Sequence, residues 1–209
     1  MRKILVLFLT GIFTVCMQGK AQVMKDMVLS MPDSVIPLLS KDNKADFIDF
    51  LANKMQAKVK NAFNEYSYMD TLTNDYTHIR LTPCSDVSIK LLPLTDSTKV
   101  ICLVHTYRAD AAESNISFFD TNWKGLDGKS FVDLPSVDDF VKPVGDDSLA
   151  LVRSKLDVSM IAAHLSATDN ELKFTFDDAY LPQEDKKLVN GCILPEIVKK
   201  WDKGRFVSK

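Results

Sequence analysis

From residue 76 onward the apolar residues of this chain recur at every second position, a period that commits most of its length to β-strands. Ile79 and Leu81 alternate with His78 and Arg80, and Val87, Ile89 and Leu91 alternate with Ser88 and Lys90. Residues 83–85, led by a proline, read as the turn between these two half-buried strands. Residues 100–107 are apolar in both alternating sets, the pattern of a central strand covered on both faces. Residues 95–98 form the turn before it, residues 116–119 continue the series, and residues 122–128 form the next loop. Residues 156–165 and 172–176 flank Thr168-Asp169-Asn170-Glu171 as a hairpin. Residues 197–201 and 205–207 form another, with Gly204 at the left-handed position of a three-residue loop.

The N-terminal quarter has a different period. Phe47, Ile48, Phe50, Leu51 and Met55 recur at helical steps, and Val59 and Phe63 extend the stripe. Asp42 or Asn43 is placed to cap this helix, and Pro32 and Pro37 leave room for one or two short turns before it. An apolar stripe on one helix face needs a surface to cover, and the strands supply it. The sequence therefore predicts an α+β fold, with N-terminal helices packed on a large, mostly antiparallel β-sheet built from hairpins. In residue terms this is a single α+β domain over 22–209, helical over 22–66 and strand-rich over 76–209.

Residues 1–21 are expected to stand apart from that domain. Arg2 and Lys3 precede an apolar run over residues 4–16, and Gly19-Lys20-Ala21 places small residues where a signal peptidase reads, so cleavage before Gln22 is predicted. The run is too short to span a bilayer, which needs roughly 20 apolar residues, and no later segment is longer. Val15 directly before Cys16 is a poor match to a lipidation site, which favours a soluble periplasmic or secreted protein over a lipoprotein. Cleavage leaves 188 residues with a formal charge of −5, against −2 for the whole chain. Mixed, mildly acidic charge gives no electrostatic basis for binding nucleic acid.

Nothing in the linear sequence spells out a reaction. Cys84, Cys102 and Cys192 remain after cleavage; no C-x-x-C pair occurs, and Cys102 lies in an apolar run where a thiol acts as a small hydrophobe. One bridge, Cys84 to Cys192, is open to the mature chain. His78, His105 and His164 are the three histidines, none at metal-ligand spacing from another histidine or cysteine, and they read as structural. No G-x-S-x-G, G-x-G-x-x-G or Walker sequence is present, so neither a cofactor nor a metal is expected. The pairs Asp138-Asp139, Asp146-Asp147 and Asp177-Asp178 lie at turns or helix starts, where aspartate binds local backbone donors. Residues 120–125 resemble the start of a calcium loop but place Lys124 at a ligand position.

Asp33-Ser34-Val35, Asp70-Thr71-Leu72, Asp96-Ser97-Thr98 and Asp147-Ser148-Leu149 resemble the Asp-Ser/Thr-aliphatic sequon of O-glycosylated exported Bacteroidetes proteins. This makes Ser34, Thr71, Ser97 and Ser148 candidate glycan sites, although Asp-Ser and Asp-Thr are also good turn sequences. Further segments share one family pattern. Met31-Pro32-Asp33-Ser34, Leu72-Thr73-Asn74-Asp75-Tyr76, Lys90-Leu91-Leu92-Pro93-Leu94 and Val100-Ile101-Cys102 resemble the Bacteroidales exported family known as domain of unknown function 3256. Asp138-Asp139-Phe140 and the closing residues 201–206 extend the resemblance over nearly the whole mature chain. It implies an exported protein and carries no activity with it.

The expectation is then a non-enzymatic binding or accessory protein of the cell envelope, its partner an envelope protein or a small ligand. The alternative is a hydrolase or transferase whose site assembles only in three dimensions. A polar sheet face is the expected binding surface, with His78, Arg80, Lys90 and Lys173 as its principal residues and Ser88 and Thr175 beside them.

Overall fold

Alternating burial sorts the strands into two sheets that share a core. The computed structural model describes residues 23–95, 98–142, 146–156 and 160–208, with the backbone alone at 146–149 and 151. The predicted leader and Ser97 lie outside the described residues, as does the side chain of Ser148. Two helices come first, α1 (Met24–Ser30) and α2 (Lys41–Ala52). Seven strands follow: β1 (Lys58–Lys60), β2 (Tyr66–Leu72), β3 (Tyr76–Thr82), β4 (Ser85–Pro93), β5 (Lys99–Arg108), β6 (Ala112–Phe119) and β7 (Gly125–Leu126). They form one antiparallel meander in sequence order. Beyond a 3-10 turn at Gly128–Ser130 come α3 (Val137–Phe140), α4 (Asp146–Lys155), β8 (Ile161–Leu165), β9 (Glu171–Phe176), α5 (Gln183–Asn190), β10 (Ile197–Asp202) and β11 (Arg205–Ser208). The last four strands make a second antiparallel sheet, ordered β11-β10-β9-β8.

The architecture is α+β as expected, with the N-terminal helices on one face of the large sheet. Ile79, Leu81, Val87, Ile89, Leu91, Ile101 and Leu103 turn to that face and pack against Met24, Val28, Phe47 and Ile48. The opposite face carries Leu92, Val100, Cys102, Val104 and Phe118, which pack against Ala163, Leu165, Leu172, Phe174, Trp201 and Phe206 of the second sheet. β5 is thus buried on both faces over its first half, as its two apolar sets require. α4 and α5 close a small cluster of Val152, Leu156, Leu181 and Val189.

Several elements differ from the sequence prediction, each for a local reason. α2 ends at Ala52 and does not continue to Phe63; Lys54 takes a left-handed φ of 57° that breaks the helix. Val59 then alternates with Lys58 and Lys60 as a strand, and Phe63 sits 69% exposed in the β1–β2 loop. The cap lies upstream of Asp42. The Ser40 hydroxyl accepts from the Asn43 N–H at 3.2 Å, and the Asn43 side chain accepts from the Ser40 N–H at 3.1 Å, a reciprocal box. Buried Lys44 fixes this helix to the proline-rich segment, donating to the Met31 carbonyl at 2.5 Å and to Asp33 at 2.6 Å. The β10–β11 loop has two residues, because Asp202 pairs with Arg205; Lys203 (φ 44°) and Gly204 (φ 88°) both adopt positive φ.

Candidate functional site

One face of the large sheet gathers charged residues from four consecutive strands at the end bearing the β3–β4 and β5–β6 turns. Tyr68 pairs with Arg80, Arg80 with Asp86, and Asp86 with Thr106, so alternate residues of β2 to β5 share this face. An irregularity between Met69 and Thr71 sits at Asp70, whose carboxylate receives two hydrogen bonds from Arg80, Nε to Oδ2 at 2.7 Å and Nη2 to Oδ1 at 2.9 Å. The His78 ring lies between two carboxylates, Nδ1 3.4 Å from Asp70 Oδ2 and Nε2 3.4 Å from Asp86 Oδ1. Arg108 Nη1 donates to the other oxygen of Asp86, which is buried. The result is a row, Arg80–Asp70–His78–Asp86–Arg108, that ties β2, β3, β4 and β5 side to side.

The electrostatics of the row keep it charged and occupied. The hydrogen bond from Arg80 holds the Asp70 carboxyl below the usual carboxylate range, and burial lowers the His78 ring against the pull of Asp70. A neutral imidazole carries one N–H, so His78 serves one of its two carboxylates at a time. Each carboxylate is already engaged by an arginine, which leaves neither as a free base. Chemically the row is a rigid, charge-compensated platform.

Beside it the face becomes aromatic and cationic. Lys58 Nζ stands 3.7 Å above the Tyr66 ring centroid and 5.6 Å from that of Tyr68, and the Arg80 guanidinium lies 4.8 Å from the Tyr68 centroid. Tyr66 is 46% exposed. The second sheet stands over β4 to β6 through β8 and over the Tyr76 end of β3, while β1, β2 and the Arg80 end of β3 carry exposed side chains on the same face: Lys60, Tyr66, Asp70 and Arg80.

The predicted site residues therefore divide. His78 and Arg80 meet on the open face. Lys90 and Ser88 share the face, but Lys90 is only 1% exposed, its ammonium held by Asp75 at 3.0 Å and donating to the Ala167 carbonyl at 3.3 Å. It anchors the β8–β9 turn to the large sheet and is not solvated. Lys173 and Thr175 belong to the second sheet, with Lys173 paired to Glu196 at 2.7 Å and Thr175 beside the His164 ring at 3.4 Å. As residues of the site, Asp70, Asp86, Arg108, Tyr66 and Tyr68 escaped the sequence reading, which took Asp70 only as part of a glycan sequon. The alternation Tyr66-Ser67-Tyr68-Met69-Asp70 was the available signal, hidden because the helical stripe was carried too far.

The remaining candidates serve the backbone. Asp139 accepts from the Ser136 N–H at 2.7 Å and is held low by it. Asp177 accepts from the N–H groups of Ala112 at 2.8 Å and Ala179 at 3.0 Å. Asp120 accepts from Asn122 N–H at 2.8 Å and Lys124 N–H at 3.0 Å, which makes the calcium-like segment a hairpin turn. Among the described residues no cluster of three or more His, Cys, Asp or Glu side chains is placed to hold a metal ion. Cys84, Cys102 and Cys192 are free thiols, and burial pushes the Cys102 thiol far up. Ser34 is exposed in a turn, and Thr71 is half-buried within β2. No helix among the described residues is long and apolar enough to cross a membrane.

Comparison with known proteins places the whole arrangement. The model of a family described as a protein of unknown function, DUF3256, matches residues 16–206. The solved structure of a domain of an uncharacterized protein from Porphyromonas gingivalis W83 is similar, at 25% identity and a TM-score of 0.78, over 88% of this chain and 96% of that one. No curated protein matches.

Proposed function

The chain belongs to the DUF3256 family, and from that premise we propose that it is an exported, non-enzymatic binding protein of the cell envelope that meets its partner on the open face of the large sheet. The observation that carries this reading is the uncovered half of that face. The second sheet seals the apolar half and leaves Tyr66 and Arg80 exposed, with Lys58 and Tyr68 half-buried beside them, at the rim of a rigid row of ion pairs. Tyrosine and arginine on a fixed scaffold are the residue types that anchor interfaces. With Lys58, Lys60 and Arg80 set against Asp70, the open half carries a cationic excess and favours an acidic partner.

The leader-like residues 1–21 support export to the periplasm or beyond. The hydrolase or transferase reading is weaker, because Asp70 and Asp86 are each bound by an arginine and Cys102 is sealed in the core. Cross-linked affinity purification from the native envelope, run in parallel with the exported Tyr66→Ala/Arg80→Ala protein, tests the proposal. A reproducible partner that is lost with the double variant supports it. A partner retained equally by both proteins would remove the open face from consideration.

A further inference from the structure

The open face presents a compact set of hydrogen-bond donors. Lys58, Tyr68 and Arg80 lie directly across β1, β2 and β3 from one another, and Lys60 lies across from Tyr66. The rings stand among the cations: Lys58 lies over Tyr66, Arg80 over Tyr68, and Lys60 Nζ is 5.9 Å from the Tyr66 centroid. Strand geometry spaces the backbone positions, about 7 Å from Lys58 to Lys60 along β1 and about 10 Å from Lys58 to Arg80 across two strand intervals.

Much of this donor capacity is unused. Among the described residues neither lysine is paired with a carboxylate, and Lys60 reaches only the Asn64 side-chain oxygen, at 3.3 Å. Arg80 commits Nε and Nη2 to Asp70 and keeps Nη1 free. The Tyr66 and Tyr68 hydroxyls have no hydrogen-bond partner among the described residues; Tyr66 is exposed, and the Tyr68 hydroxyl reaches solvent. The backbone adds nothing to the set. β2 and β3 are paired on both sides, and at the β1 edge the Lys60 carbonyl accepts from the Asn43 side chain at 3.1 Å while the Ala62 N–H donates to the Leu38 carbonyl at 3.0 Å. A peptide recognised as an added strand finds no run of free backbone groups there. A folded partner covers roughly 20–30 residues a side, far more than this half of the face exposes.

We infer that the open face binds an anionic polysaccharide, its charged groups meeting Lys58, Lys60 and Arg80 Nη1 and its hydroxyl and ring oxygens accepting from the Tyr66 and Tyr68 phenols. The inference rests on the reading that this face takes an acidic partner, and names that partner's chemistry. Two kinds of donor decide the class. Ammonium groups alone accept any polyanion, whereas phenol hydroxyls set among them also need neutral oxygens close to each charge. A sugar chain carries such oxygens on every ring; an acidic polypeptide holds them back on its backbone, a side-chain length from the carboxylate. A protein captured from the envelope through this face would be the carrier of such a chain.

Binding of the purified mature protein to immobilised carboxymethyl dextran, dextran sulfate and unmodified dextran, with polyglutamate as the acidic polypeptide, tests the assignment at physiological ionic strength. The charged dextrans are expected to bind, unmodified dextran not to, and polyglutamate to be weaker by roughly tenfold, the factor for one or two net hydrogen bonds to the phenols. Binding by one charged dextran alone supports the inference and names the anion, carboxylate or sulfate. Tyr66→Phe/Tyr68→Phe keeps both rings and their cations, and is expected to bring the charged dextrans down to the polyglutamate level without changing polyglutamate binding. Lys58→Gln/Lys60→Gln is expected to weaken all three polyanions by at least roughly tenfold, with circular dichroism confirming that both variants fold. Polyglutamate bound as tightly as the charged dextrans, with Tyr66→Phe/Tyr68→Phe unchanged, would overturn the inference and leave an acidic polypeptide on the same face. No binding by either charged dextran, or binding unaffected by Lys58→Gln/Lys60→Gln, would also overturn it, while the open-face reading stands or falls separately on the Tyr66→Ala/Arg80→Ala capture experiment.

Discussion

The Trp201 indole N–H donates to the Pro93 carbonyl at 2.7 Å, joining the second sheet to the far end of β4 across 108 residues of sequence. Trp123 does the equivalent on the other side, donating to the Met27 carbonyl at 3.1 Å and joining the β6–β7 turn to α1. Each tryptophan thus holds one outer layer on the large sheet. Trp201 also stacks on Phe131, with centroids 6.2 Å apart, and meets Phe206 edge-on at 4.9 Å. Trp201→Phe removes the hydrogen bond and keeps most of the packing, for an expected loss of about 1 kcal/mol. Trp201→Ala empties the site and is expected to cost about 3–5 kcal/mol. Urea midpoints of the two variants measure the difference.

Lys90 offers a sharper contrast. Its stem is buried and its ammonium bridges Asp75 and the Ala167 carbonyl, while the Asp75 side chain keeps 43% of its surface in contact with solvent. Lys90→Met keeps the apolar stem and leaves Asp75 hydrated, so it is expected to fall within about 1.5 kcal/mol of the parent. Lys90→Ala opens a void between the sheets and is expected to cost at least about 2 kcal/mol. Equal losses in the two variants would show that the charge, and not the stem, holds the β8–β9 turn.

Stability falls on the acid side in two stages. Burial lowers the pKa of His78, His105 and His164 below the ordinary value of 6.5. As pH drops through that value the unfolded chain takes up protons that the folded chain refuses, and stability declines until the folded rings titrate. Asp70 and Asp139 are held below 3.8 by hydrogen bonds from Arg80 and from the Ser136 backbone. Their contribution is complete above that value and is lost as pH falls through their folded pKa. Thermal midpoints are expected to be level above about pH 7, to decline below about 6.5 and to decline again below about 4. His105→Phe should shrink the first decline and spare the second.

Thiol chemistry reports on the same core. Cys84 is exposed, and Cys102 is buried between β4 and β6. An aromatic disulfide reagent is expected to modify Cys84 within the mixing period and Cys102 only at the rate of global unfolding. Rapid modification of Cys102 in the native protein would show that the two sheets separate on that timescale.

Where one principle governed alone, the fold was legible. β5 announced its burial through two apolar sets, and Gly204 marked the final turn because few residues adopt positive φ at low cost. The β1–β2 region was misread because Val59 and Phe63 happen to continue a spacing of three and four residues, while the helix stop at Lys54 lies in a backbone angle no residue type advertises. The site was legible only in part, for a geometric reason. Asp70 and Asp86 reach His78 through strand register and a local irregularity, and register depends on pairing partners that linear order leaves unspecified. Lys173 alternates in its strand just as Lys90 does, yet the strands belong to different sheets.

Because each strand of the meander pairs with the one before it, the large sheet can assemble from its N-terminal end onward, hairpin upon hairpin, with short loops to close. The helix-side core is complete once Trp123 has been added. The other face must wait for residues 161–208, which supply every strand of the covering sheet. Until that happens the folding chain presents Val100, Cys102, Val104 and Phe118 uncovered on a formed sheet, an apolar surface of the kind that favours aggregation in folding intermediates.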